Sequence, residues 1–305
     1  MTLLLYCRIL GLISRTQKMI RPSIALVKLV EQIRKGQCVL FLGAGIHASS
    51  TNPKFVYADE ERPLQAAKLA MELVAGTNYK SLLPRASDED LQKAAAFAEA
   101  LSGREHLLTS LALHLQRGSP SPALRMLARM PFCIFVTTNY DNMLEQALLA
   151  ENKKPTKLVY DPNLEWTPDA EEDPTSRSPL VFKMHGDLEQ PRSIVITDDD
   201  YITFVQKMSY LGGPSFPIPL TVRYRLGRWP TLFIGYSLQD FNLRLLLRSR
   251  DLANTLMCCS VDPSPDPLIR HLWEDVRRMI RFLEYDLWDF IPWLYQEVCG
   301  QDYHP

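Results

Sequence analysis

The sequence lacks the paired cysteines that hold a structural zinc ion. Its six cysteines include no C-x-x-C pair, and the adjacent Cys258 and Cys259 lie in an apolar run. Structural zinc sites usually take their ligands from such pairs, and a disulfide framework needs regularly spaced cysteines in a short chain. The sequence therefore excludes a cysteine-cluster zinc site of the usual spacing and predicts a reducing compartment, which we expect to be the cytoplasm.

A strong charge of either sign and a long hydrophobic run are also missing. The formal net charge is −1 at pH 7, so no basic field predicts nucleic-acid binding. The apolar stretch at the N-terminus is interrupted by Arg8 and is too short to span a bilayer, and no charged segment precedes it as in a signal peptide. We therefore interpret residues 1–22 as a docking or disordered extension.

The remaining chain alternates between strand-like and helical patterns. Short apolar runs predict buried strands, and apolar residues at helical spacing predict helices between them. This alternation predicts a doubly wound, Rossmann-like α/β fold with a mostly parallel sheet covered on both faces. We assign 23–299 to this domain, 63–130 to a helical insertion after the first strand, and 300–305 to a tail. The predicted strands lie within 38–45, 132–136, 180–184, 231–237, 256–262 and 279–286, and the predicted helices lie near 23–35, 63–75, 88–117, 121–130, 198–211, 239–250, 265–276 and 288–298. The segment 132–149 is predicted to pass from its strand directly into a further helix.

Four of the predicted strands end in glycine or polar residues. These endings are "GAGIHASS" (43–50), "TTNYD" (137–141), "HGD" (185–187) and "GYSLQD" (235–240). Ligands of such sheets bind at the carboxyl ends of the strands, where the strand order reverses. Each ending has a structural explanation of its own, as a helix cap or a glycine turn. The four together predict a ligand crevice.

The first of these endings fits a dinucleotide phosphate turn. Gly43-x-Gly45-x-x-Ala48 follows a strand, and glycines there let the backbone approach a pyrophosphate. The acidic residue expected at the end of a second strand about 20 residues later is missing. The motif is therefore not an ordinary dehydrogenase fingerprint.

Two histidines lie beside these motifs. His185 ends a buried strand, and Gly186 follows it at once, which predicts a backbone that turns and keeps the crevice open. Imidazole, with an ordinary pKa of about 6.5, can accept a proton at neutral pH. His47 follows the glycine turn, and two interpretations stay open: a cation that contacts a phosphate, or a loop residue without a role.

The segments "FLGAGI", "FVTTNYD", "KMHGD", "SIVITDDDY" and "FIGYSLQDFNLRLLL" resemble the sirtuin fold, and specifically its bacterial branch that hydrolyses NAD in antiphage defence. The resemblance covers roughly 25–298. It implies that Asn139 lies next to the reacting ribose and nicotinamide, that Asp141 orients the nicotinamide end, and that His185 is the catalytic histidine. The residues that it implies for NAD binding are Gly43, Ala44, Gly45, Ile46, Thr138, Gly235, Tyr236, Ser237 and Asp240.

The chain departs from deacylating sirtuins in two places. It has no set of four cysteines for a zinc lobe. The first sirtuin motif continues into a glycine–isoleucine–proline segment, whereas "GAGI" here runs into "HASS" (47–50). These losses argue against an acyl-lysine peptide as substrate, and we expect no bound metal. The leading interpretation is an NAD+ hydrolase that releases nicotinamide and ADP-ribose as a toxic effector of defence.

Two alternatives and a set of partners accompany this interpretation. The chain could be an ADP-ribosyltransferase or deacylase of the sirtuin class, or an NAD-sensing subunit without catalysis. By family analogy we expect a homo-oligomer whose activity depends on assembly or on a separate partner, such as a helicase-like ATPase or a short Argonaute. The sequence carries no direct nucleic-acid or membrane signal.

Overall fold

Seven short parallel strands form the centre of the protein. The computed structural model describes residues 20, 23–209, 217–238 and 258–304. Every neighbouring pair of strands in its sheet is parallel, so the predicted doubly wound α/β fold is confirmed. The strands are β1 (Val39–Leu42), β2 (Ile134–Thr137), β3 (Thr156–Val159), β4 (Leu180–Lys183), β5 (Thr231–Ile234), β6 (Cys258–Val261) and β7 (Ile280–Leu283).

The strand order reverses at β1. Across the sheet the order is β3-β4-β2-β1-β5-β6-β7, so the chain first builds outward from β1 and later returns to place β5 on its other side. Leu42 pairs with both Thr137 and Ile234, and Thr137 pairs with Lys183. The carboxyl ends of β1, β2, β4 and β5 are therefore level. The four polar and glycine endings meet at one edge, where such sheets bind ligands.

Helices cover both faces of the sheet because alternate strand residues point to opposite sides. Leu40 and Leu42 belong to one buried cluster, whereas Val39 and Phe41 belong to the other. Of the helices in the described part of the chain, none is long and apolar enough to cross a membrane. The helices are α1 (Ile24–Arg34), α2 (Ala66–Val74), α3 (Tyr79–Leu82), α4 (Leu91–Ser102), α5 (Arg104–Leu115), α6 (Pro122–Arg129), α7 (Met143–Ala150), α8 (Asp198–Ser209), α9 (Leu220–Arg228), α10 (Pro267–Arg270) and α11 (Leu287–Cys299), with short 3₁₀ turns at Ala44–His47, Asp59–Glu61 and Pro191–Ser193 and a π-helical turn at His271–Val276.

The structure differs from the sequence prediction in several elements. The predicted helix 88–117 is two helices, because Gly103 interrupts it with a φ of +84°. Strand β3 was not predicted, since its sequence TKLV is only partly buried at the edge of the sheet. Helix α9 was also not predicted, because its arginines interrupt the apolar pattern and its buried face consists only of Val222 and Leu226. The helix predicted near 239–250 lies outside the described residues.

The turns after β1 and β5 touch backbone to backbone. Gly43 N–H donates to the Ile234 carbonyl at 3.0 Å, and Gly45 N–H donates to the Gly235 carbonyl at 3.0 Å. A Cβ atom on Gly43 would lie 2.4 Å from the Gly235 carbonyl oxygen, and one on Gly235 would lie 2.3 Å from the nitrogen of Ile46. Gly235 also has a φ of +68°, which favours glycine. Contact between the turns therefore requires glycine on both sides.

Gly235→Ala should lower the free energy of unfolding by about 3 kcal/mol or more, because a left-handed φ and a backbone clash both oppose the new methyl group. Gly227→Ala is the matched control, since a Cβ atom there meets nothing within 4 Å in helix α9. The control should be neutral or stabilising by up to about 1 kcal/mol. Urea unfolding followed by tryptophan fluorescence measures both. Equal stabilities of the two variants would contradict the packing argument.

Candidate functional site

A cleft opens where β1, β2, β4 and β5 end. Residues from all four strand endings line it, together with an apolar wall from the helical segment between β1 and β2. The polar side of the cleft includes Asn139, Asp141 and His185. The lining residues that share an apolar character are Pro63, Leu64, Ala66, Leu69, Leu91 and Leu115. This mixture of an apolar wall and a few convergent polar groups is typical of a ligand site.

The structure brings together six of the predicted site residues. Those that line the cleft are Ala44, Thr138, Asn139, Asp141, His185 and Tyr236. Gly43, Gly45, Ile46, Gly235 and Ser237 lie in the adjoining turns rather than in the lining, and Asp240 lies outside the described residues. Close packing of the two turns accounts for the glycines at Gly43, Gly45 and Gly235, and phosphate contact by these turns stays a prediction.

Asn139 presents a buried oxygen with no hydrogen-bond partner among the described residues. Its backbone N–H donates to Oγ1 of Thr137 at 3.0 Å, which holds the residue at the end of β2. Its side-chain nitrogen Nδ2 lies 3.4 Å from the Gly43 carbonyl oxygen. The other amide atom, Oδ1, is buried and makes no hydrogen bond. Because buried polar atoms are rarely left unpaired, this acceptor is suited to a donor from a ligand or a water molecule.

His47 lies at the centre of the polar side of the cleft. Its side chain is only 3% exposed, and it belongs to the 3₁₀ turn Ala44–His47 after β1. Nδ1 lies 3.4 Å from the hydroxyl of Tyr57, and Nε2 lies 3.4 Å from Nδ2 of Asn139. Nε2 is also 3.4 Å from Oδ2 of Asp141. Both ring nitrogens therefore face protein groups, and the two interpretations that the sequence left open for His47 stay open.

Asp141 is held as a carboxylate. Burial raises its pKa, but the charge of His47, the hydrogen bond to His47, the charge of Lys183 and a backbone N–H together lower it by more, to well below the ordinary range. That N–H belongs to Met143 and donates to Oδ1 at 3.0 Å. Lys183 is fully buried and its ammonium donates to the Asp141 carbonyl oxygen. Asp141 therefore carries a fixed negative charge at the edge of the cleft.

His185 is packed between aromatic rings at the end of β4. Its ring is 3% exposed, lies edge-to-face with Tyr201 and Phe204 at centroid distances of 5.2 and 5.8 Å, and places Nδ1 3.4 Å from the Tyr201 hydroxyl. Gly186 has a φ of +94°, and a Cβ atom on it would lie 2.3 Å from the Ser193 carbonyl oxygen. The glycine thus packs against the following loop. Our expectation that it keeps the crevice open stays a prediction.

Comparison with known protein families shows which family part of this chain resembles. A family model described as a SIR2-like domain matches residues 134–278. This segment contains Asn139, Asp141 and His185. Over this segment, which is just under half of the chain, the sequence is similar to SIR2-like domains. The resemblance to the sirtuin fold, inferred from the motifs, is confirmed.

Several curated relatives are similar to this chain. NAD(+) hydrolase ThsA of Acinetobacter baumannii is 27% identical over 226 residues, which are 74% of this chain and 41% of the relative. NAD(+) hydrolase ThsA of Bacillus cereus is 34% identical over 123 residues, 40% of this chain and 23% of the relative. Defense-associated sirtuin 2 of Bacillus subtilis is 25% identical over 253 residues, 78% of this chain and 22% of the relative. The chain thus spans less than half of the length of each of these relatives.

We expect no bound metal in this protein. Within the described ranges, no group of three or more His, Cys, Asp or Glu side chains could hold a metal ion. The cysteines in these ranges are free thiols. A zinc-free protein stays a prediction.

Asp141→Asn should lower the free energy of unfolding at pH 7 by about 2 kcal/mol, since hydrogen bonds to a buried charged group contribute about 1.5–3 kcal/mol. The pKa of Asp141 in the folded protein lies below the unfolded-state value of about 3.9. The stabilisation by the carboxylate is therefore complete well above this unfolded-state value and is lost as the pH falls from there through the folded-state pKa. The difference between wild type and variant should therefore shrink from about pH 5 to about pH 3.

Urea unfolding at several pH values measures this difference. Asp173→Asn is the control, because the Asp173 side chain is 89% exposed and pairs only with Arg225 at the surface. Its effect should stay below about 0.5 kcal/mol. A difference for Asp141→Asn that does not depend on pH would contradict the proposed environment of the carboxylate.

Proposed function

We propose that this chain binds NAD+ and hydrolyses the bond between nicotinamide and ribose, releasing nicotinamide and ADP-ribose. The observation that carries the proposal is the buried, unpartnered Oδ1 of Asn139 in a cleft that it shares with His185 and Asp141. The names of two relatives, NAD(+) hydrolase ThsA of Acinetobacter baumannii and of Bacillus cereus, support the same reaction.

The reaction requires little acid catalysis. When the glycosidic bond breaks, its electron pair goes to the ring nitrogen of nicotinamide, which was cationic and becomes neutral. The ribose is left with the positive charge of an oxocarbenium ion. A water molecule then adds to the anomeric carbon and loses a proton. The protein therefore has to hold the ring, stabilise the cation, and accept that proton.

Each polar residue of the cleft suits one of these tasks. Oδ1 of Asn139 can accept a hydrogen bond from the nicotinamide carboxamide or from the attacking water. The imidazole of His185 can take the proton from the water or from a ribose hydroxyl. Asp141, whose two oxygens already contact His47 and Met143, acts through its fixed charge, which favours the developing cation.

The apolar wall completes this arrangement. Four leucines of the segment between β1 and β2 line the cleft: Leu64, Leu69, Leu91 and Leu115. An apolar wall limits access of bulk water, and electrostatic stabilisation of a cation is stronger where water is excluded.

We also propose a role in antiphage defence, under the control of assembly or of a partner. The Bacillus subtilis relative is named a defence-associated sirtuin, which supports this setting. An NAD hydrolase without control would damage its own cell. A homo-oligomer, and a separate partner of the helicase-like ATPase or short Argonaute type, remain our candidates for that control, and the free thiols fit the reducing cytoplasm as its location.

Wild-type protein incubated with NAD+ should release equal amounts of nicotinamide and ADP-ribose. His185→Ala should reduce the turnover by about 10²–10⁴-fold, which is the usual cost of removing a proton acceptor, and Asn139→Ala should lower kcat rather than only raise KM. Chromatographic product analysis measures this, with thermal unfolding to show that the variants are folded.

His106→Ala is the matched control, because His106 is exposed on α5. Nicotinamide without free ADP-ribose, when a protein acceptor is present, would indicate a transferase instead. NAD binding without any product would indicate a sensing subunit.

The protein should be a homo-oligomer whose NAD turnover depends on assembly. Three leucines of helices α3–α5 support this expectation, since Leu82, Leu101 and Leu113 are 61%, 57% and 57% exposed. Leu101→Glu and Leu113→Glu should lower the mass measured by light scattering and the turnover together. Leu164→Glu, at a position that is 45% exposed in the loop after β3, is the control and should change neither. A fully active monomer would refute the claim.

A further inference from the structure

The hydroxyl of Tyr57 determines which nitrogen of His47 carries a hydrogen. This hydroxyl donates to the Ser119 carbonyl oxygen at 3.1 Å, and burial, with the charge of Asp141, raises the pKa of Tyr57, so the phenol keeps its proton. Its single hydrogen is thus engaged, and toward Nδ1 of His47, 3.4 Å away, it can only accept. In this arrangement Nδ1 of His47 carries a hydrogen.

The other nitrogen of His47 lies between two groups with opposite requirements. Nδ2 of Asn139 and Oδ2 of Asp141 are each 3.4 Å from Nε2. An amide nitrogen only donates, so it needs a lone pair on Nε2, whereas a carboxylate only accepts, so it needs a proton there. The amide nitrogen is identified by its second contact, 3.4 Å from the Gly43 carbonyl oxygen. Nε2 can satisfy only one of these neighbours at a time.

We propose that His47 is a positioning residue whose protonation state sets the orientation of the Asn139 carboxamide. With Nε2 unprotonated, the Asn139 amide nitrogen is held between Nε2 and the Gly43 carbonyl, and Oδ1 stays available to a ligand. With Nε2 protonated, its N–H turns to Asp141 and repels the amide nitrogen, so that the carboxamide rotates and Oδ1 faces His47. The inference deepens the proposed function and rests on it for its catalytic consequence only.

Other charged groups act on the two neighbours of His47, Asp141 and Tyr57. Lys183 acts on Asp141 from β4, where its ammonium donates to the Asp141 carbonyl oxygen. Glu61 and Arg62 act on Tyr57 from the segment before α2 and oppose each other. The competition at Nε2 is therefore mainly between Asp141, which favours the proton, and Asn139, which favours the lone pair.

The test follows the side-chain amide of Asn139 by NMR, in protein labelled with ¹⁵N-asparagine. The Asn139→Ala spectrum identifies the resonance. In wild-type protein its shift should change with pH through one ionisation. In His47→Gln, which keeps a polar group but cannot titrate, this change should disappear.

Two further variants separate the proposal from a structural role. Tyr57→Phe removes the partner of Nδ1 outside the cleft and should shift the midpoint of the Asn139 titration. His106→Gln, at an exposed position on α5, should leave the midpoint unchanged. An Asn139 resonance that titrates equally in wild type, His47→Gln and Tyr57→Phe would overturn the proposal.

Kinetics supply the catalytic consequence. His47→Gln should lower kcat for NAD by about 10-fold to 10²-fold with little change in KM, since a misplaced reacting group typically costs about 10²-fold. The NMR titration needs no turnover. A wild-type protein that does not cleave NAD would therefore refute the proposed function, while the titration still decides whether His47 orients Asn139.

Discussion

The site depends on one close contact, in which the glycine turn after β1 meets the glycine turn after β5. Gly45 and Gly235 approach so closely that neither can carry a side chain. The 3₁₀ turn that starts at Ala44 leaves this contact and carries His47 back over the end of β2. The strand order makes the contact possible. Strands β1 and β5 are neighbours in the sheet, although the helical segment after β1 and three further strands separate them in sequence. Without it, His47 and Asn139 would not be placed beside each other.

A set of buried charges lies beside the cleft at the end of β4. Lys183 and Asp187 are both fully buried, and Lys157 contacts Asp187 at 2.9 Å. Burying a charge is costly unless it is paired, so these groups tie the end of β4 to β3 and to the segment after β2. In the motif KMHGD, the lysine and the aspartate belong to this set of charges, and the glycine packs on Ser193. The histidine between them is the residue that reaches the cleft.

The helices between β1 and β2 are docked onto the same framework. Arg104 at the start of α5 donates to the Ile194 carbonyl oxygen at 2.6 Å and pairs with Asp200 at 2.9 Å. Leu69 and Leu115 pack with Ile194 and Ile196 in one small core and also line the cleft. The segment that follows His185 therefore contacts the helices that form the apolar wall. The wall and the polar groups are positioned by one connected set of contacts.

The sequence by itself determined the fold class and most of the polar site. Alternating strand and helix patterns predicted the parallel sheet, and the polar endings of its strands predicted that Asn139, Asp141 and His185 share a cleft, because strand ends in such sheets come together. It did not reveal β3 or α9, whose apolar faces are small. Only the tertiary structure decided the place of His47, the role of Gly186 and the apolar wall. Those features rest on contacts with Tyr57, Ser193 and Leu115 that are distant in sequence or lie across a loop, and local periodicity carries no information about such contacts.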